Sequence, residues 1–301
     1  MIGTVLRAQG GTYEVETEEG IVEAALRGKL KREERTGERV VVGDVVDVEP
    51  AGSGWVVERV HPRRTALVRR APGKAPRAKT IVANVDQVVV VFAVAHPSPH
   101  LRMLDRFLVI CESSGLEPLI VANKTDTVGV DAAREMFAPY ERAGYPVLYT
   151  AARERRGVDA LRDAICGRVS ALTGPSGVGK SSLLNAVQPG LGLRVAAVSE
   201  AVDKGRHTTV TAQLIPLECG GYVADTPGLR EVGLWKVDPD ELDGYFPEFG
   251  PYLGGCRYGN SCTHTHEPGC AVQAAVEEGE VSAARYDSYR RMVRGEDEED
   301  A

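Results

Sequence analysis

VSALTGPSGVGKSSLLNAV, residues 169–187, reads as a short apolar strand, a glycine-rich turn and the opening of a helix, and its turn has the spacing G-x-x-x-x-G-K-S. Gly174, Gly177 and Gly179 let backbone amides turn inward around a chain of phosphates, while Lys180 reaches the outer oxygens and Ser181 can ligate Mg²⁺. Pro175, Ser176, Val178 and Ser182 complete the loop and its entry into the helix. A strand before and a helix after is the context this motif requires.

Upstream stands N-K-T-D at residues 123–126, a guanine reader. The Asp126 carboxylate can accept paired hydrogen bonds from the ring N–H and exocyclic amine of guanine, a donor pair that adenine does not present. Lys124 would lie over the ring, beside Asn123. Downstream come T-T at Thr208 and Thr209 and then D-T-P-G at 225–228, where Asp225 can hold Mg²⁺ through water and Gly228 offers an amide to the terminal phosphate. An ordinary G domain meets its phosphate loop first and its guanine reader last; here the order is reversed, which marks a circular permutation. Permutation leaves core contacts intact when the original ends lie close together at the surface.

Working outward, residues 87–94, 118–123, 146–150, 169–173 and 221–225 are apolar runs suited to strands buried on both faces of a parallel sheet. Helical patterns at 101–114, 132–143, 158–165 and 180–187 alternate with them, so the expected class is a doubly wound α/β sheet. The first 60 or so residues instead hold short alternating strands at 4–8, 12–17, 21–26, 45–48 and 55–60, punctuated by glycines. An OB-type barrel fits, with an SH3-like or other small β domain as the alternative. The expected division is 1–62 barrel, 63–84 basic linker, 85–235 permuted G domain, and 236–301 C-terminal metal-binding domain with an acidic tail.

The formal charge of -7 argues against a general nucleic-acid binder, yet the charge is segregated. Between His61 and Thr80 stand seven basic residues (Arg63, Arg64, Arg69, Arg70, Lys74, Arg77 and Lys79) and no acidic one. Such a patch can hold RNA phosphates whatever the net charge, since screening confines each field to about 8–10 Å. No apolar run approaches the roughly 18 residues of a membrane span, and the N-terminus shows no secretory pattern, so a soluble cytoplasmic protein is expected.

Six cysteines do not suggest a disulfide framework: Cys111, Cys166 and Cys219 stand apart, while three crowd near the C-terminus. Cys256, Cys262, His264 and Cys270 supply three thiolates and an imidazole, which fill a tetrahedral Zn²⁺ shell and leave no open position, so the site is structural. His266 is the alternative imidazole. Residues 272–294 read as one helix carrying Arg285, Arg290, Arg291 and Arg294, either an RNA contact or a solvated face.

These motifs, with G-R-H-T-T at 205–209, N-V-D-Q-V at 84–88 and C-T-H-T-H-E-P-G-C at 262–270, resemble the ribosome small-subunit-dependent GTPase A (RsgA) family over nearly the whole chain. The resemblance implies an OB domain, a permuted G domain and a zinc domain. It also implies GTP hydrolysis stimulated by the small ribosomal subunit, late maturation of that subunit, and rRNA as partner; a monomer is expected. Two positions depart from the family pattern. The base-contacting T-S-A is T-A-A at 150–152, so the serine hydroxyl is lost at Ala151 and the amide of Ala152 is left to reach the guanine carbonyl; and Val210 replaces a third threonine, so Thr209, with Thr208 an alternative, is the expected switch ligand for Mg²⁺. Leu229 stands where many G proteins carry a water-orienting glutamine. His207 is the substitute the resemblance implies, with an RNA-contacting or switch-shaping role as the alternative. Leu229 also keeps open an RNA-docking scaffold gated by GTP with little turnover. A phosphate-loop ATPase or transporter component is disfavoured by Asp126.

Overall fold

The computed structural model describes residues 1–28, 30, 39–52, 54–70, 78–193, 212–225, 237 and 239–296, with backbone alone for Arg69, Arg70, Ala78, Lys79 and Asp225. His207, Thr208, Thr209, Gly228, Leu229 and the acidic tail lie outside the described residues.

Five strands, β1 (Ile2–Gln9), β2 (Thr12–Thr17), β3 (Gly20–Leu26), β4 (Val45–Ala51) and β5 (Gly54–Val60), close in the order β1-β2-β3-β5-β4-β1. This is the OB-type barrel. Alternation along β1, β2, β4 and β5 turns Val5, Tyr13, Val15, Val46, Val48 and Val57 into its core. Residues 63–84, expected as a linker, contain an antiparallel hairpin of β6 (Ala66–Arg70) and β7 (Ala78–Ala83). Leu67 and Val82 on that hairpin join Leu6 and Val42 of the barrel and Val85 and Val88 of the next module in one buried cluster, so burial overrides the polar composition. Arg63 is partly covered: its guanidinium bonds the fully buried Asp44 at 2.7 Å, which leaves it less available to RNA phosphate than the composition of the stretch implies.

The G-domain strands β8 (Gln87–Ala93), β9 (Glu117–Asn123), β10 (Val147–Tyr149), β11 (Val169–Thr173), β12 (Gln213–Pro216) and β13 (Tyr222–Asp225) lie in the order β10-β9-β8-β11-β13-β12. All are parallel except β12, which runs antiparallel to β13. Every residue of β8 is buried. Val88, Val90 and Phe92 pack with residues of α1 (Leu101–Ser113) and α2 (Val130–Arg142), whereas Val89, Val91 and Ala93 pack with α3 (Val158–Ile165) and α4 (Lys180–Val187). Two-residue periodicity thus divides one apolar run between two helical layers. Beyond β12 the sheet continues into β1, so barrel and G domain share one 11-stranded sheet.

The C-terminal module builds its own core from Leu242, Phe246, Phe249, Val272, Tyr286 and Tyr289, with Val109 of α1 reaching into it. The single helix expected over 272–294 is two, α5 (Ala271–Glu277) and α6 (Ala283–Val293), broken at Glu278-Gly279-Glu280 so that both apolar faces turn onto that core. Arg285 is neither solvated nor free for RNA. It bonds Asp105 of α1 at 2.7 Å and both carboxylate oxygens of Glu248, beneath the rings of Tyr140, Tyr145 and Phe246. A second correction concerns cysteine: Cys166 and Cys219, which stand apart in sequence, form a disulfide across a separation of 53 residues, because the β12–β13 turn places their Cα atoms 5.5 Å apart. No described helix is long and apolar enough to cross a membrane.

Candidate functional site

The parallel strands end along one edge of the sheet, and chain order puts the motif residues there. Asn123 closes β9, Thr150 follows β10, Gly174 follows β11 and the backbone of Asp225 closes β13. The strand order reverses at β8, whose neighbours β9 and β11 both follow it in the chain. Open α/β sheets bind ligands outside the carboxyl ends of their strands at such a point.

The phosphate loop is pressed against both neighbours. Gly174 has φ 131°, and a Cβ there would come 2.0 Å from the Val91 carbonyl oxygen; Gly179 has φ 100°, and a Cβ would come 2.5 Å from Asn123 Nδ2. No side chain fits at either place. The loop ends at the N-terminus of α4, where unpaired amides and the helix dipole favour an anion. Lys180 Nζ donates to the Gly174 and Pro175 carbonyls at 2.7 Å each.

The guanine-reading segment is bonded directly to that loop. Asn123 Nδ2 donates to the Val178 carbonyl at 2.8 Å, and Lys124 Nζ donates to the Gly177 carbonyl at 2.7 Å and to that of His96. Asn123 is itself held by the Thr150 hydroxyl, 3.0 Å from Oδ1, and Thr125 Oγ1 donates to the Thr150 carbonyl at 3.1 Å. Asn123, Thr125, Thr150 and Ala151 are buried, while Asp126 is exposed. Burial, and after it the Arg153 charge, lowers the pKa of Lys124 against the pull of Asp126. Thus Asn123, Lys124, Ala151, Ala152 and the loop 174–182 meet at one edge with the backbone of Asp225. The expected switch residues His207, Thr209 and Gly228 lie outside the described residues. Sequence reasoning missed the Thr150 hydroxyl and the His96 carbonyl, which only the meeting of separate loops reveals.

A second cluster sits in the C-terminal module. Cys256, Cys262, His264 and Cys270 are all buried, with their ligand atoms within 4.8 Å of one another. The Cys256 and Cys270 sulfurs are 3.8 Å apart, and His264 Nδ1 lies 3.4 Å and 3.3 Å from them. A tetrahedron with metal–sulfur bonds of ~2.3 Å has edges of ~3.8 Å, so the donors fit a four-coordinate ion. His264 Nε2 faces Asp243 Oδ2 at 3.3 Å, which leaves Nδ1 for the metal. His266 is exposed, with Nδ1 beside Thr265 Oγ1 at 2.8 Å, and takes no part. These residues can hold a metal ion.

Fold and site together define a P-loop GTPase with a circularly permuted G domain, carried between an OB-type barrel and a metal-binding module. The RsgA GTPase family model matches residues 60–235, and the RsgA N-terminal domain model matches residues 2–56. The chain belongs to the RsgA GTPase family. A relative from Gemmatimonas aurantiaca, named small ribosomal subunit biogenesis GTPase RsgA, is 52% identical over 295 residues, covering 96% of this chain and 95% of its own. One of the same name from Moorella thermoacetica is 45% identical, with 96% and 95% covered. Among solved structures, YjeQ from Thermotoga maritima aligns with a TM-score of 0.78 at 36% identity, covering 98% of this chain and 97% of its own. YloQ, described as a circularly permuted GTPase, aligns with a TM-score of 0.76 at 28% identity, covering 100% and 96%.

Proposed function

We propose that this chain hydrolyses GTP in the biogenesis of the small ribosomal subunit, and that docking on the subunit raises the rate. The observation that carries the reading is the direct bonding of a guanine reader to a phosphate loop through Asn123 and Lys124. In this reading Asn123, Lys124, Asp126, Ala151 and Ala152 select guanine, and residues 174–182 hold the phosphates. Ser181, Thr209 and Asp225 hold Mg²⁺, Gly228 meets the terminal phosphate and His207 positions water. Mg²⁺ when bound neutralises charge on the phosphates. Residues 1–62 and 236–301 grip rRNA, the second stiffened by one Zn²⁺ on Cys256, Cys262, His264 and Cys270, in a monomer acting in the cytoplasm.

The relatives' names support the biogenesis role. Phosphate release from GTP, measured with and without purified small subunits, tests it: subunits should raise turnover about tenfold or more, and His207→Ala should lose that rise while retaining GTP binding. Subunits that bind the chain without raising turnover would favour a GTP-gated docking scaffold, the reading that Leu229 keeps open.

A further inference from the structure

Strand β12 is the edge of the G-domain sheet and also the strand on which the barrel docks. It pairs antiparallel with β13 on one side and with β1 on the other. In the chain it lies between the two expected switch segments: residues 194–211 precede it, and D-T-P-G begins at the last residue of β13.

The registers coincide. Arg7 of β1 stands opposite Gln213, Gln213 stands opposite Asp225, and Asp225 stands opposite Leu172 of β11. One row therefore runs from the barrel through the edge strand to the residue proposed to hold Mg²⁺. Side chains reinforce it: Arg7 Nη2 donates to Gln213 Oε1 at 2.9 Å, while Nη1 donates to Glu14 at 3.1 Å.

The other end of the hairpin is anchored. Its turn is tied by the Cys166–Cys219 disulfide, and the Gly167 amide donates to the Gly220 carbonyl and the Tyr222 amide to the Arg168 carbonyl, each at 2.8 Å. Gln213 and Asp225 lie at the opposite, open end of the hairpin. Antiparallel hydrogen bonds run perpendicular to the strands, so lateral displacement of β1 is delivered along the row.

We infer that Arg7 and Gln213 are positioning residues through which the barrel sets the backbone of Asp225, and that this row carries subunit docking to the hydrolysis site. Its stimulation arm rests on the proposed stimulation by subunits; its Mg²⁺ arm rests only on the proposed role of Asp225. The test uses full-length Arg7→Ala, Gln213→Ala and the swap Arg7→Gln with Gln213→Arg, which rebuilds the contact with its ends exchanged. Each single variant should raise the Mg²⁺ concentration for half-maximal unstimulated turnover about threefold or more, with turnover at saturating Mg²⁺ unchanged. Each should also lower subunit-stimulated turnover about tenfold while cosedimenting with subunits as wild type does. The swap should restore both. Single variants with wild-type midpoint and stimulation overturn the inference, as does a loss that the swap does not restore. Loss of cosedimentation by Arg7→Ala makes Arg7 an RNA contact and overturns it too. A wild type that subunits do not stimulate counts against the proposed function, and the Mg²⁺ midpoint then decides the row.

Discussion

At the scale of the residue, Asn123 and Asp126 divide one motif into two tasks. Asn123 fastens the phosphate loop through the Val178 carbonyl, whereas Asp126 is exposed and available to a base. Asp126→Asn should therefore exchange an acceptor for a donor, weakening GTP and favouring xanthosine triphosphate; an unchanged preference in competition binding would sink the guanine assignment. Asn123→Ala should weaken GTP and GDP alike, since it loosens the loop and leaves the acceptor in place. Arg285 poses a different problem, one cation among two buried carboxylates. Arg285→Met should cost about 3–5 kcal/mol in chemical denaturation, because Asp105 and Glu248 would remain buried without their countercharge, leaving Asp105 the Ser288 hydroxyl. Burial, outweighing the attraction of Arg285, pushes Asp105 up to about 6. Its folded pKa then lies above its unfolded one, so its contribution is complete below the unfolded value and is lost as pH rises through about 6. Between about pH 7.5 and pH 5 the wild type should gain on the order of 1 kcal/mol relative to Asp105→Asn, measured by denaturation at both values.

At the scale of the element, the C-terminal module depends on short segments that cannot stand alone. Its 3₁₀ turns Pro239–Tyr245 and Pro247–Tyr252 and helices α5 and α6 enclose a core that includes Cys256, Cys262 and Cys270, three of the four residues that can hold a metal ion. Ligand binding there is also folding energy. Elemental analysis should find about one zinc per chain, Cys270→Ser should lose it and loosen the module, and nucleotide binding should survive. His266→Ala should retain the metal, whereas His264→Ala should not; the reverse result would mean that the imidazole pointing at the thiolates had been misassigned.

At the scale of the whole molecule, the basic stretch after the barrel is less available to RNA than its composition implies. Arg63 is spent on Asp44, while Arg64 is exposed and only lightly held by Asp86 at 2.6 Å. Subunit docking should weaken with salt, and Arg64→Ala should reduce the slope of log affinity against log salt by about one if Arg64 meets a phosphate. Arg63→Ala should instead destabilise the barrel with little change in slope. Deleting the barrel outright would be a blunt test of coupling, because removal of β1 bares the β12 edge.

The sequence by itself determined the order of the site motifs: N-K-T-D before the phosphate loop, the glycines that no side chain could replace, the buried strands of the G domain and the four residues that can hold a metal. These are legible because backbone conformation, two-residue periodicity and ligand spacing are local properties. Only the tertiary structure decided what Arg63 and Arg285 do, because a guanidinium among distant carboxylates has the same spelling as one facing solvent. The same holds for the Cys166–Cys219 pair and for the four-residue β12, too short to show a pattern of its own. Its partner β1 lies far upstream, Arg7 standing 206 residues before Gln213, and strand pairing between such distant segments leaves no local mark.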